Sequence, residues 1–399
     1  MFACCSVEPL RTSLIGRTLH KRVGAVLSLY FFCAVAHAQG GQNFEHRPNT
    51  ISDARALESQ VQRHHSIWRS RIQSLLDAGK LPKVDMETSW SEEDVRGDLS
   101  SIFALMDELG IALIAADGKQ RRPDGTVGYR WSDYMVEAAN AYPDRFVPAT
   151  NGGTSSNWLE QRSGGGSFIE QLEKQVESGR YALMGELDFR HYMSSHQCAA
   201  GHRHRDNSIP LTSENGQRAF GLSHKTGVPI VIHLEPEDVS MLELEGVLER
   251  YSKAKVVVAH FGQLRHPEKQ RGFTPQRVQS LLRRFPNLHW DLSTGWPNRE
   301  YRCAGENNSG SLKGDTVLWA DGLMGQSDTV KAEWRAIFIE FHDRFVFATD
   351  FGSGRPPLHD FLQRGVANFE RIVRDLPSEV QHAFAYRNAW RLLTGESWE

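Results

Sequence analysis

Three runs of this chain are apolar residue after residue and then stop on a histidine or an aspartate. They are Pro229 to His233 (PIVIH), Lys255 to Gly262 (KVVVAHFG) and Arg344 to Gly352 (RFVFATDFG). A strand with one face in water alternates apolar and polar residues, whereas a strand covered on both faces does not. Runs of this kind call for a parallel sheet buried on both sides. Each also delivers a metal-competent or proton-handling side chain at its C-terminal end.

The same punctuation recurs along the chain. Eight short apolar runs, drawn at 83–87, 112–116, 145–151, 182–188, 229–235, 255–262, 288–294 and 344–352, alternate with helical patterns such as 95–109, 168–177, 239–251, 275–285 and 330–341. Strand and helix alternating eight times favours a (β/α)8 TIM barrel over an open α/β sheet. An amphipathic helix over 52–77 precedes the first strand as an N-terminal extension, and 384–393 reads as a C-terminal closing helix. Two connections, 189–215 and 295–328, are too long for simple turns. In a barrel both follow strands, on the face where active sites are built.

The start of the chain reads differently. Basic residues from Arg17 to Arg22, an apolar run from Val23 to Val35 and the small residues around Ala36 and Ala38 form a secretory signal pattern. The apolar run is shorter than the ~20 residues of a spanning helix, so no stable membrane insertion is expected after cleavage. The expected organisation is therefore a signal peptide at 1–38, a linker and helix at 39–79, and a barrel at 80–399, with the mature protein exported to a periplasm or the exterior. The net charge of −3 argues against a nucleic-acid partner, which would call for a basic face. Of five cysteines only Cys198 and Cys303 lie beyond the signal, with no Cys-x-x-Cys pair, so a thiolate metal site has no support. Whether the two pair stays open.

The polar residues at the strand ends carry the chemistry. Asp85 and Glu87 close the first strand, Glu186 and Asp188 the fourth, His233 the fifth, His260 the sixth, Asp291 the seventh and Asp350 the eighth. In a barrel these converge around one axis. Two imidazoles with carboxylates make a ligand set suited to Zn²⁺ with room for a water, and a nearby carboxylate such as Asp350 can move that water's proton. Taken singly, a strand-end histidine is more often structural, and Glu186 has the simpler option of pairing with Arg190.

The ordered series Gly185-Glu186, Val231-Ile-His233, Val258-Ala-His260-Phe-Gly262 and Ala348-Thr-Asp350-Phe-Gly352, closed by Asn388-Ala-Trp390, resembles the amidohydrolase superfamily, in particular its amidohydrolase-related branch. The resemblance spans about Val84 to Gly395. It implies a metal-dependent (β/α)8 hydrolase or lyase acting on a small molecule. The family's first strand ends in a His-x-His pair, and here Glu87 and Ser89 occupy those two slots. The resemblance thus implies one divalent ion, most simply Zn²⁺, held by Glu186, His233 and His260, with Asp350 as catalytic proton handler and Glu87 as a further ligand near the open position.

Arg190 and Trp296, placed just beyond the fourth and seventh strands, are the candidate substrate-binding residues, Arg190 for an anionic group. The expected activity is hydrolysis of an ester, lactone, amide or related bond, and a homo-oligomer is compatible with everything above. Two alternatives stand beside it: a metal-independent lactonase-type hydrolase, and a catalytically dead barrel that binds a ligand.

Overall fold

The structure is a computed structural model. It describes residues 50–121, 127–128, 133–153, 162–163, 166–193, 195–265, 269–293, 323–325, 329–352 and 358–399, all within one compact unit, Asn49–Glu399. Residues 1–49, where a signal peptide and the start of a linker were expected, together with Trp296, Cys303 and nearly all of the 295–328 connection, lie outside the described residues.

Eight parallel strands follow one another around a ring: β1 Lys83–Ser91, β2 Ile111–Arg121, β3 Phe146–Pro148, β4 Met184–His191, β5 Ile230–Leu234, β6 Val256–Val258, β7 Leu288–Asp291, and β8, which enters at Phe345–Val346 and resumes at Phe351–Gly352. Val84 pairs with Leu113 and Ala115 with Val147, and the bridge Ala149 to Leu183 carries the sheet from β3 to β4. Asp188 then pairs with His233, Val231 with Val257, Val257 with His289 and Asp291 with Val346. Parallel pairing of Phe351 with Thr88, and the 3.1 Å bond from Met86 N–H to Phe347 O, close the ring on β1. The protein is therefore a (β/α)8 barrel, as the alternation requires.

The strands form where they do because their residues are buried on both faces. Val256, Val257 and Val258 are at most 3% exposed, and the neighbouring Ile230, Ile232 and Leu288 are fully buried. Helices on the outside are punctuated as the sequence suggests. Ser167 and Glu170 form a capping box at the start of Phe168–Glu177, Thr274 caps Pro275–Arg284, and left-handed Gly110 and Gly227 end Ser100–Leu109 and Glu214–Thr226.

The N-terminal helix Thr50–Asp77 buries Trp68, Ile72 and Leu75, and Arg69 lies over the rings of Trp390 and Trp398. Both ends of the described chain thus pack on each other. The closing segment also ties down β8: Asn388 Nδ2 donates to the carbonyls of His342 and Phe345 at 2.8 Å, and Phe347 N–H donates to Phe384 O at 2.9 Å. Among the described residues no helix is long and apolar enough to cross a membrane.

His289 on β7 illustrates a cost of this packing. Burial, and behind it the guanidiniums of Arg344 and Arg391, push its imidazole down to about 3. Below the ordinary value near 6.5 the unfolded chain takes a proton that the folded chain refuses, so this contribution to stability is complete above pH 6.5 and falls as pH drops toward 3. Urea unfolding at pH 7 and pH 5 is expected to show His289→Gln losing roughly 2 kcal/mol less than the parent between those values. Equal losses in the two proteins would refute a neutral, buried His289.

Candidate metal centre

At the C-terminal ends of the strands two imidazoles meet edge to face, with ring centroids 4.6 Å apart. His233 Nδ1 lies 3.1 Å from His260 Nε2 and 2.8 Å from Glu186 Oε1. His260 Nε2 in turn lies 3.7 Å from Glu186 Oε1 and 3.6 Å from Glu87 Oε1. Two sets of side chains bring donor atoms close enough to hold one ion, Glu186 with His233 and His260, and Glu87 with His260 and Asp350. They share His260. The structure thus brings together Glu87, Glu186, His233, His260 and Asp350, five residues spread over five strands.

The outer nitrogens of the two rings are held as well. His233 Nε2 faces Glu235 Oε1 at 3.4 Å, and Glu235 is itself paired with buried Arg265 and accepts from Gln270 Nε2 at 3.3 Å. His260 Nδ1 lies 2.6 Å from Ser293 Oγ, which is within hydrogen-bond distance of Asp291 Oδ1 (2.7 Å) and Glu87 Oε2 (2.9 Å). An imidazole that donates its outer N–H to an oxygen presents a lone pair on its other nitrogen. The inward nitrogens, Nδ1 of His233 and Nε2 of His260, face Glu186 and each other and are the atoms a bound ion would meet.

The electrostatics fit a cation at this point. Burial, reinforced by the carboxylates of Asp291, Glu186 and Asp350, pushes Glu87 well above the usual carboxylate range. Glu87 Oε1, buried and facing His260, accepts no hydrogen bond. Burial acts the same way on Glu186 but is outweighed by the hydrogen bonds and charges of His233 and His260, which hold it well below that range. For His233 burial opposes the charge, yet Glu186 and Glu235 raise it to about 9. Crowded buried carboxylates beside two inward-facing nitrogens are the environment a divalent ion neutralises.

His260 and Asp350 share a second property. They are the two non-glycine residues with left-handed backbone among those described, at φ 61° and 52°. Such a conformation costs a residue with a β-carbon roughly 1–2 kcal/mol. It also explains why the apolar run through Val258 does not continue as strand to Gly262: the chain turns at His260 and aims the ring inward.

Not every sequence candidate reaches the centre. Arg190 does not line the site as a free anion receptor. Its Nε donates to Glu237 at 2.7 Å, its Nη1 to Asp206, Asn207 O and His191 O at 2.8 to 3.1 Å, and its guanidinium lies 3.7 Å from the Tyr192 ring centroid. The reason is local: β4 continues past Asp188 to His191 and pairs with Asn207–Ser208, so Arg190 becomes the strut of that loop.

Arg205 is likewise drawn inward, pairing with buried Asp188 at 2.8 Å. Ser89, in the second histidine slot, sits in register between Gly352 and Asp117. Glu235, Arg265 and Ser293 were not legible as site residues. None falls in a recognisable pattern, although Ser293 follows Asp291 by two on the same side of the chain.

With this geometry in hand, comparison with known proteins is decisive for the family. A family model for amidohydrolases matches residues 128–394, two thirds of the chain. The chain belongs to the amidohydrolase family. Members of this family typically depend on a divalent metal, and the family's description agrees with the hydrolase expected from the motif series. Among curated proteins, none matches this amidohydrolase.

Solved structures similar to it include 2,6-dihydroxybenzoate decarboxylase from Rhizobium, at 14% identity and TM-score 0.45, covering 78% of this chain and 98% of that one. Another is 5-carboxyvanillate decarboxylase from Sphingomonas paucimobilis, at 11% and 0.43, covering 79% and 99%. A third is 4-oxalomesaconate hydratase from Rhodopseudomonas palustris, at 14% and 0.41, covering 83% and 92%.

Proposed function

We propose that this amidohydrolase is an exported hydrolase of a small-molecule ester, lactone, amide or related substrate. It works with one divalent ion, most simply Zn²⁺, held by Glu186, His233 and His260. The observation that carries the reading is the approach of His233 Nδ1, His260 Nε2 and Glu186 Oε1 to within 2.8 to 3.7 Å of one another, with both outer ring nitrogens engaged elsewhere. Two imidazoles and a carboxylate are a donor set that Zn²⁺ accepts. A bound ion supplies Lewis acidity, polarising the scissile carbonyl and making water acidic near neutral pH.

The chain's own residues do the rest. Glu235 and Ser293 fix the tautomers of the two ligands. Glu87 stands on the second donor set and offers an additional oxygen. Asp350, the partly exposed member of that set, is placed to take a proton from the attacking water and return it to the leaving group. Beside the site lies a small void, with room for about one water, lined by Glu87, Asp117, Gly185 and Glu186. Export is supported by the basic and apolar pattern of residues 17–38 and by Cys198 being disulfide-bonded, a state that persists in oxidising compartments.

The test is elemental analysis by mass spectrometry of freshly purified protein, paired with turnover across ester, lactone and amide panels before and after chelation. Near one equivalent of Zn²⁺ and loss of turnover on chelation are expected. Turnover that persists without metal would transfer the reaction to the acid and base side chains alone, and a metal-free protein with no turnover would leave a binding barrel.

A further inference from the structure

A buried aspartate from the adjoining strand holds one of the two strained residues of the centre directly, and a second such aspartate holds the other through the residue before it. Asp291, at the end of β7 and fully buried, accepts from His260 N–H at 2.8 Å and from Ser293 N–H at 3.0 Å, both on Oδ1. The same oxygen lies 2.7 Å from Ser293 Oγ, which lies 2.6 Å from His260 Nδ1. One carboxylate oxygen therefore holds His260 twice, directly at the backbone and through Ser293 at the ring.

Asp85, on β1 and also fully buried, treats β8 in parallel fashion. Its Oδ1 accepts from Thr349 N–H at 3.0 Å and Glu87 N–H at 3.3 Å, and its Oδ2 from the Thr349 hydroxyl at 2.6 Å, one residue before left-handed Asp350. Neither aspartate belongs to the sets of side chains that bring donor atoms together for an ion.

We propose that Asp291 and Asp85 are positioning residues that hold His260 and Asp350 in their left-handed conformations and so aim both side chains into the metal centre. A residue with a β-carbon leaves this region of backbone space unless something pays for it to stay. A buried carboxylate accepting a backbone N–H is among the stronger hydrogen bonds a protein makes, and here it is spent on the amide of the turn itself. Without the acceptor the turn at His260 relaxes toward negative φ, and Nε2 no longer meets His233 Nδ1. The proposal rests on His260 being a ligand, as argued above.

The experiment compares Asp291→Ala with Asp291→Asn in the full chain, because the amide oxygen of asparagine can accept the same two N–H groups. Zn²⁺ affinity, measured by competition with a chromophoric chelator on protein shown to be folded by circular dichroism, is expected to weaken roughly 10- to 100-fold in Asp291→Ala and to be largely restored in Asp291→Asn. Amide exchange by mass spectrometry on metal-free protein is expected to speed up around residues 259–263 in the alanine variant alone.

A strand-end aspartate that merely stabilises the barrel would lower the unfolding midpoint and leave both readouts of the folded protein unchanged, and that outcome overturns the proposal. Should Asp291→Ala not fold, Asp291→Ser keeps a polar atom in the slot but falls short of His260 N–H, and reads the same difference. The Asp85→Ala and Asp85→Asn pair, followed by exchange around residues 348–351, tests the other half. A parent protein that binds no Zn²⁺ sinks the assignment of the metal, while the exchange readout on metal-free protein still decides the positioning role.

Discussion

His233→Ala is expected to purify without its divalent ion and to lose hydrolytic turnover by about 10³-fold or more, the several kcal/mol that metal polarisation supplies. The expectation follows from what surrounds the ring. His233 Nδ1 is the atom nearest both other members of the set, 2.8 Å from Glu186 and 3.1 Å from His260, so its removal opens the cluster at its centre. Glu235, the carboxylate on the far side of the ring, is committed to Arg265 and Gln270 and does not replace it. His260→Ala should behave likewise, and it removes the residue common to both donor sets. Both variants should remain folded, since strand β5 is held by its ladders to β4 and β6, and the turn after β6 by the bonds of the His260 and Phe261 N–H groups to Asp291, none of which the replaced side chains make. Measured metal content equal to that of the parent in a folded His233→Ala protein would remove the imidazole from the ligand set.

Arg265→Ala is expected to destabilise the fold by about 3–5 kcal/mol, the usual consequence of leaving a buried charge without its partner. Glu235 is 1% exposed and Arg265 5%, so solvent does little to screen the pair. Burial alone would push the Glu235 carboxyl up, and Arg265, with His233, holds it below the usual carboxylate range. Glu235→Gln in the Arg265→Ala background removes the unpaired charge and is expected to recover much of the loss. Urea unfolding of the single and double variants checks both statements. An Arg265→Ala protein within 1 kcal/mol of the parent would mean that water reaches Glu235, and that the support of His233 Nε2 is looser than the distances imply.

Much of this was legible before any coordinates. The runs at 229–233, 255–262 and 344–352 could be buried only as parallel strands, and the placement of His233, His260 and Asp350 at the ends of such strands, with Glu186 on the strand drawn at 182–188, followed from their position in the runs. The replacement of the first-strand histidines by Glu87 and Ser89 was also readable, because it lies inside one continuous motif. The partners of Arg190 were not readable in the same way. Its position just beyond the fourth-strand motif made it the candidate for an anionic group, but the strand extends past the motif and turns Arg190 toward Glu237 and Asp206.

By itself, the sequence determined the alternation of buried strands and outer helices and the set of side chains at the barrel's C-terminal end, since both depend on local periodicity. Only the tertiary structure decided how those side chains are aimed and charged. The left-handed turns at His260 and Asp350, the links of Glu235 to Arg265 and of Ser293 to His260, and the upward push on Glu87 all arise between strands far apart in the chain. A hydrogen bond or a charge acts through distance in space, and no spacing along the chain encodes that distance until the ring has closed.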